Sequence, residues 1–267
     1  MCSLRGVGPA GLAAVFVNLF IGTSTMSAQS SSTAEQASGL QRCEAEAAHY
    51  ALLRRLAPVI RHNMAGTLQP IAMVAAMLER RLQKADPDPE ALLKNARDIV
   101  ALSKEAAASC ADLMSWLAPK DNRPVKADAG IAECVGMVVT QLSFRGFSVV
   151  NSSGSIAARL PQSALRNVLT ASLIGLADAA AVPGKLLISA GFAEDVLSVH
   201  IELKVPEVPE PVRAVDKPPY RLLEWHDVQA LALQESARLT RGENRLTLQF
   251  EASAANDPEA LAETVQA

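Results

Sequence analysis

Two long stripes of apolar side chains, separated by one proline-broken turn, constrain the fold of this chain more than any other feature. Leu53, Leu56, Ile60, Met64, Ile71, Val74, Leu78 and Leu82 recur three and four apart, with Thr67 as the polar exception. That spacing places them on one narrow helical face and predicts a helix over residues 43–84. Asp86-Pro87-Asp88-Pro89 ends it, because proline interrupts the backbone ladder, and Asp88 before Pro89 makes an N-cap followed by a first-turn proline. A second stripe, Leu93, Ala96, Val100, Ser103, Ala107, Cys110, Met114 and Leu117, predicts a helix over residues 89–117. The two make a helical hairpin. Seams this long are best covered when two hairpins pair, so the expected assembly is a homodimer whose hairpins form a four-helix bundle.

The texture changes after the polar, proline-bounded linker Pro119-Lys120-Asp121-Asn122-Arg123-Pro124. Beyond it the pattern predicts a short strand at Val125, a helix over 127–144, and strands at 147–151 and 157–160. A helix over 161–181, strands at 185–189 and 197–205 turning at Ala193-Glu194-Asp195, a helix over 222–240 and a closing strand over 244–252 follow. Residues 206–219 are proline-rich and read as irregular. The expected fold class is α+β: an N-terminal antiparallel hairpin followed by an α/β sandwich. Four segments result, a flexible leader (1–42), the hairpin (43–118), the α/β domain (119–253) and a disordered tail (254–267).

Composition excludes several functions. Basic and acidic residues number 25 and 28, a formal net charge of -3, so nothing marks a nucleic-acid or anionic-membrane partner. Cys2, Cys43, Cys110 and Cys134 are far apart, with no metal-ligand spacing, and read as reduced thiols of a cytoplasmic protein. An apolar run from Pro9 to Gly22 behind Arg5 resembles a weak signal-peptide core and is too short to span a membrane comfortably. Export and a natural start at Met26 are both open; stable membrane insertion is not expected.

Within the first helix stands Arg61-His62-Asn63-Met64-Ala65-Gly66-Thr67-Leu68-Gln69-Pro70-Ile71. It is similar to the phospho-acceptor box of two-component histidine kinases, in which a histidine on the first hairpin helix is followed by a proline and an aliphatic residue. Here Thr67 stands where most members have the proline. In the second domain Leu165-Arg166-Asn167-Val168-Leu169-Thr170-Ala171-Ser172-Leu173-Ile174-Gly175-Leu176-Ala177-Asp178-Ala179 resembles the family's nucleotide-box helix. The resemblance covers residues 52–250. It implies that the α/β sandwich is of the histidine-kinase ATPase type.

The departures from that family carry the functional expectation. Asn167 matches the first asparagine of the nucleotide box, but Ala171 and Ile174 stand where the resemblance implies a second asparagine and a basic residue. Neither can coordinate a hard cation or meet a phosphate. The Asp-x-Gly-x-Gly motif expected after the strand is replaced by Pro206-Glu207-Val208-Pro209-Glu210-Pro211, and no glycine occurs between Gly191 and Gly242. Tyr220-Arg221-Leu222-Leu223-Glu224-Trp225 replaces a glycine-rich stretch, and Asn63 replaces the acidic residue that follows the acceptor in active kinases. ATP-dependent kinase activity is therefore not expected, and the chain should bind no cofactor of its own.

A histidine phosphotransferase needs none of those parts. A neutral imidazole can take a phosphoryl group from an aspartyl phosphate and return it, while the partner receiver domain brings the Mg²⁺. The expected phospho-acceptor is His62. Arg55, Arg61, Ala65 and Gly66 are expected to dock the receiver domain of a response regulator, the small residues leaving room and the arginines attracting its acidic pocket. Gly66 and Pro70 cost about 1 and about 3 kcal/mol in a helix interior, so helix stability alone does not explain them. Two rivals remain: a non-catalytic scaffold that binds a kinase or response regulator, and a divergent sensor kinase. His49, His200 and His226 attract no chemistry, and no serine sits in a nucleophile-elbow motif.

Overall fold

A computed structural model describes residues 22–117, 123–206 and 221–254, with side-chain surroundings from residue 38 onward. The linker at 118–122, the proline-rich stretch 207–220, the tail 255–267 and the apolar run before residue 22 lie outside the described residues. The chain divides into two compact units, residues 1–44 and 45–267. In the first, residues 22–44 are helical. The packing described below belongs to the second.

The first helix, α1 (Gly22–Leu82), begins well before the start near residue 43 that the apolar period marks, so residues 27–40 are helical where a flexible leader was expected. Serine, alanine and glutamine carry no periodicity, yet nothing in the run forbids helix. The second helix, α2 (Pro89–Ser115), starts as expected: Asp88 accepts a hydrogen bond from the amide of Glu90, and Pro89 occupies the first turn. Arg81 reaches across the turn to the carbonyl of Ala91 at 3.3 Å and the side-chain oxygen of Asn95 at 3.4 Å, which closes the hairpin.

The face α2 buries differs from the expected stripe. Asn95, Ala106 and Leu113 point inward, whereas Leu93, Val100, Met114 and Leu117 remain 51%, 55%, 52% and 42% exposed. On α1, Ala48, Leu52, Leu56, Val59 and Ile60 are buried, and Ile71, Val74 and Leu78 only half so. A single chain therefore uses one seam of each helix and leaves the other uncovered.

The remainder is a mixed α/β assembly. Strand β1 (Pro124–Lys126) leads into α3 (Ala127–Phe144), β2 (Ser148–Asn151) and β3 (Ala158–Pro161). A broken helix follows as α4 (Gln162–Ala164), a π-helical turn (Leu165–Leu169) and α5 (Thr170–Ala179). Next come β4 (Lys185–Ala193), β5 (Val196–Lys204), α6 (Trp225–Gln234), β6 (Arg238–Arg241), β7 (Arg245–Glu251) and β8 (Ser253–Ala254). Five strands form a sheet in the order β2-β4-β5-β7-β6, with β2 parallel to β4 and every other pair antiparallel; β1-β3-β8 form a smaller sheet.

Alternation explains which sheet face is buried. Leu197, Val199, Ile201 and Leu203 of β5 and Leu246, Leu248 and Phe250 of β7 point one way into the core, while His200 and Arg245 face solvent. Glu194 and Asp195 turn β4 into β5 with φ of 52° and 56°, the left-handed pair that a tight hairpin requires. At Gly184 any Cβ would sit 2.3 Å from the carbonyl oxygen of Lys204, so only glycine fits there.

The last helix is shorter than its sequence suggests. Ser236, at φ 55°, stops it: the amide of Ala237 bonds back to the carbonyl of Ala232 at 2.8 Å, a left-handed helix stop. Residues 238–240, expected to be helical, instead belong to β6 against β7, with Leu239 opposite Leu248. Sheet pairing overrides the local helical pattern.

One hydrophobic core joins hairpin and sheet. Leu52, Leu56, Val59, Leu113 and Trp116 share a cluster with Ile131, Val138, Leu169, Leu173 and Ile201. The helical base is thus packed into the α/β body.

Candidate functional site

His62 lies exposed on α1, and two devices shape the helix around it. Pro58 and Pro70 stand inside the helix, and a proline has no amide to offer the carbonyl four residues earlier, so Pro70 leaves that of Gly66 without its usual donor. The Thr67 hydroxyl donates to the carbonyl of Met64 at 2.9 Å, a back-bond of the kind that bends helices. His62, Asn63, Gly66 and Thr67 then line one side of an open cleft of about 450 Å³, faced by Asp112 of α2, by Trp116 at its C-terminal cap and by Glu133, Gly136 and Met137 of α3. No hydrogen bond or ion pair ties the His62 ring to another described residue.

Arg61, Ala65 and Gly66, the expected docking residues, are all exposed along this stretch of α1. A Cβ on Gly66 would meet nothing within 4 Å, so no neighbour in the chain requires glycine there. Arg55 is different, and its expected role as a docking charge is overturned. Its side chain is only 4% exposed, and its two terminal nitrogens donate to the carboxylate of Asp178 at 2.8 and 3.0 Å. Asp178 also forms an ion pair with Arg145 at 2.7 Å and accepts from the amide of Leu223 at 2.9 Å. A buried carboxylate needs such partners, and a guanidinium matches it two bonds at a time. Arg55 is occupied inside the protein.

A second polar network forms the far wall of the cleft. Arg166, buried in the π-helical turn, donates to Glu133 from Nε at 3.0 Å and to the hydroxyl of Ser115 at 2.8 Å, and lies 4.7 Å over the ring of Trp116. Asp112 stands 3.6 Å from the same guanidinium, and Gln162 donates to Glu133 at 3.0 Å. The extra residue of a π turn re-aims neighbouring side chains. Here Asn167, one position on, donates to Glu235 at 2.9 Å, and Ser163 donates to the other oxygen of Glu235 at 3.2 Å. His49 lies near this carboxylate; burial lowers its pKa and Glu235 partly opposes that.

The two positions at which the sequence departs from the resembled nucleotide box lie in the core. Ala171 and Ile174 are each 0% exposed within the core, and Asn167 is turned to Glu235. The thiol of Cys134 is pushed up to about 12 by burial, so it is an inert core group. Among the described residues no group of three or more His, Cys, Asp or Glu could hold a metal ion, and no helix is long and apolar enough to cross a membrane.

Sequence reading did not assign roles to Asp178, Glu133, Arg166 and Glu235. The available signal was a lone charge inside an apolar helical run, as at Arg166 and Asp178, since such a charge demands a partner once buried.

No protein-family model matches this chain, and no curated protein matches it. Among solved structures it is similar to the Acinetobacter baumannii histidine kinase AdeS, with 14% identity and a TM-score of 0.39 over 70% of this chain and 98% of that one. It is also similar to the mycobacterial sensor histidine kinase MprB, with 14% identity and a TM-score of 0.35 over 50% of this chain and 99% of that one. A histidine kinase from Burkholderia phymatum STM815 aligns with 15% identity and a TM-score of 0.37 over 76% of this chain and 99% of that one. At identities and scores this low, the likeness transfers no chemistry.

Proposed function

We infer that this protein is a histidine phosphotransferase, relaying phosphoryl groups between receiver domains on His62 without binding ATP. The observation that carries the reading is the state of His62: exposed on a helix, at the rim of an open cleft, with its ring engaged by no other described residue. A neutral imidazole nitrogen so placed attacks the phosphorus of a receiver's aspartyl phosphate in line. A nitrogen–phosphorus bond forms as the bond to the aspartyl oxygen breaks, and the carboxylate leaves with the receiver's Mg²⁺ beside it. The reverse step returns the group.

The surroundings favour this over kinase chemistry. Ala171 and Ile174 are core residues and offer neither Mg²⁺ ligand nor phosphate partner. Arg61 is exposed beside His62 and would steer an acidic receiver surface, while Ala65 and Gly66 leave the helix flat for its approach. The uncovered stripe Leu93, Val100 and Met114 supports a homodimer through a four-helix bundle. Free thiols at Cys43, Cys110 and Cys134 suit a cytoplasmic protein.

The test is incubation of the full chain with a panel of phosphorylated receiver domains, followed by mass spectrometry of the peptide that contains His62. The expected product is an acid-labile, alkali-stable phosphoryl adduct on that histidine. Receiver binding without any adduct would establish the scaffold in its place.

A further inference from the structure

Away from His62, a second cavity of about 240 Å³ opens between α5, the segment Leu222–Trp225 that enters α6, and the β6–β7 hairpin. Its wall is mainly apolar: Leu176 of α5, Leu222 and Leu223, Trp225 and Val228 of α6, and Leu246 of β7. An apolar cavity of about 150 Å³ already admits benzene, so a substituted ring fits here. The polar groups are few and of one character. The guanidinium of Arg241 lies 5.0 Å over the Trp225 ring, with no carboxylate partner among the described residues.

The other borders of the cavity do not cancel that charge. Asp178 borders the cavity with its carboxylate taken by Arg55, Arg145 and the amide of Leu223, so two guanidiniums face its single negative charge. Glu224, at the rim, accepts a capping hydrogen bond from the start of α6, and its side chain is 68% exposed. Ser172, whose buried hydroxyl has no hydrogen-bond partner among the described residues, also borders the space. Apolar walls, an aromatic face and one guanidinium unpaired among the described residues select an apolar body carrying a single planar anion.

We propose that this cavity binds a small aromatic monocarboxylate, its ring against Trp225 and Val228 and its carboxylate on Arg241. Guanidinium and carboxylate match as planar forks, which favours a carboxylate over a polyphosphate that would need several donors. Occupancy would tie α6 to β6 and stabilise the α/β body.

The experiment is calorimetric titration of the full chain with phenylacetate and with its neutral analogue phenylacetamide. The acid should bind saturably and about tenfold more tightly than the amide or better, the scale of one charge-assisted hydrogen bond. Arg241→Ala, an exposed position that leaves the core intact, should bring acid and amide to equal affinity. Val228→Phe should fill the cavity and weaken both. No saturable heat with phenylacetate up to tens of millimolar, equal binding of acid and amide by the unaltered protein, or an unchanged preference in Arg241→Ala would each overturn the proposal. Displacement of phenylacetate by Mg-ATP would overturn it too, by showing a nucleotide site.

Discussion

The Arg55 guanidinium and the Asp178 carboxylate, 123 positions apart in the chain, meet through two hydrogen bonds of 2.8 and 3.0 Å with both side chains out of solvent. The pair joins α1 to α5 two helical turns before His62, so the α/β body is held against the helix that carries the candidate acceptor. Asp178→Ala would leave Arg55 and Arg145 facing each other without their anion. Breaking one side of a buried pair costs about 3–5 kcal/mol. Chemical denaturation should show a loss of that size, whereas Arg55→Met with Asp178→Leu should lose much less. Equal losses in the single and double variants would show that the pair is not what holds the two parts together.

The exposed stripe of α2 predicts assembly. Val100→Glu places a charge in the centre of a face that a second hairpin would cover, yet costs a lone chain little because the position is already 55% exposed. Light scattering of the full chain should show a dimer that becomes a folded monomer on this change. A dimer that survives Val100→Glu and Leu93→Glu together would place the interface elsewhere.

Acid should loosen the protein through His49. Burial holds its folded pKa below the ordinary value of 6.5, with Glu235 only partly offsetting this. A lowered folded pKa means that the stabilisation is complete above the unfolded value and drains away as pH falls through the folded one. The Tm should therefore drop between about pH 7 and pH 5, and His49→Gln should flatten that drop. A parallel drop in the variant would assign the acid sensitivity to other groups.

Gly66 separates helix stability from docking. A Cβ there meets nothing in this chain, so Gly66→Ala should stabilise α1 by about 1 kcal/mol. Gly66→Trp should fold as well but obstruct the face beside His62, slowing phosphoryl transfer while leaving Tm near that of the parent. Unimpaired transfer with a tryptophan at this position would remove Gly66 from the docking surface.

The parts of this fold legible in the sequence were those written in local pattern. Asp88-Pro89 announced α2, the period of Ile131, Val138 and Leu142 bounded α3, and Ala193-Glu194-Asp195 marked the β4–β5 turn. What escaped depends on distant partners. Arg55 looks like a surface charge until Asp178 folds against it, and residues 238–240 look helical until β7 pairs with them. Likewise the apolar period of α2 does not say which seam meets its own chain, and the structure turns Leu113 inward and Met114 outward. At the candidate site, the exposure of His62 follows from its place on α1, whereas the Glu133–Arg166–Trp116 wall across the cleft arises only from the tertiary fold.

The most direct measurement of the central claim is the rate of phosphoryl transfer from a phosphorylated receiver to the full chain, compared with His62→Gln. Glutamine is tolerated on an exposed helical face at little cost in propensity, so the variant should keep its fold and its receiver binding. The account predicts that the acid-labile adduct disappears entirely in the variant, while Arg61→Glu, a rim charge, slows its formation without abolishing it. An adduct that forms unchanged on the His62→Gln protein would contradict the account.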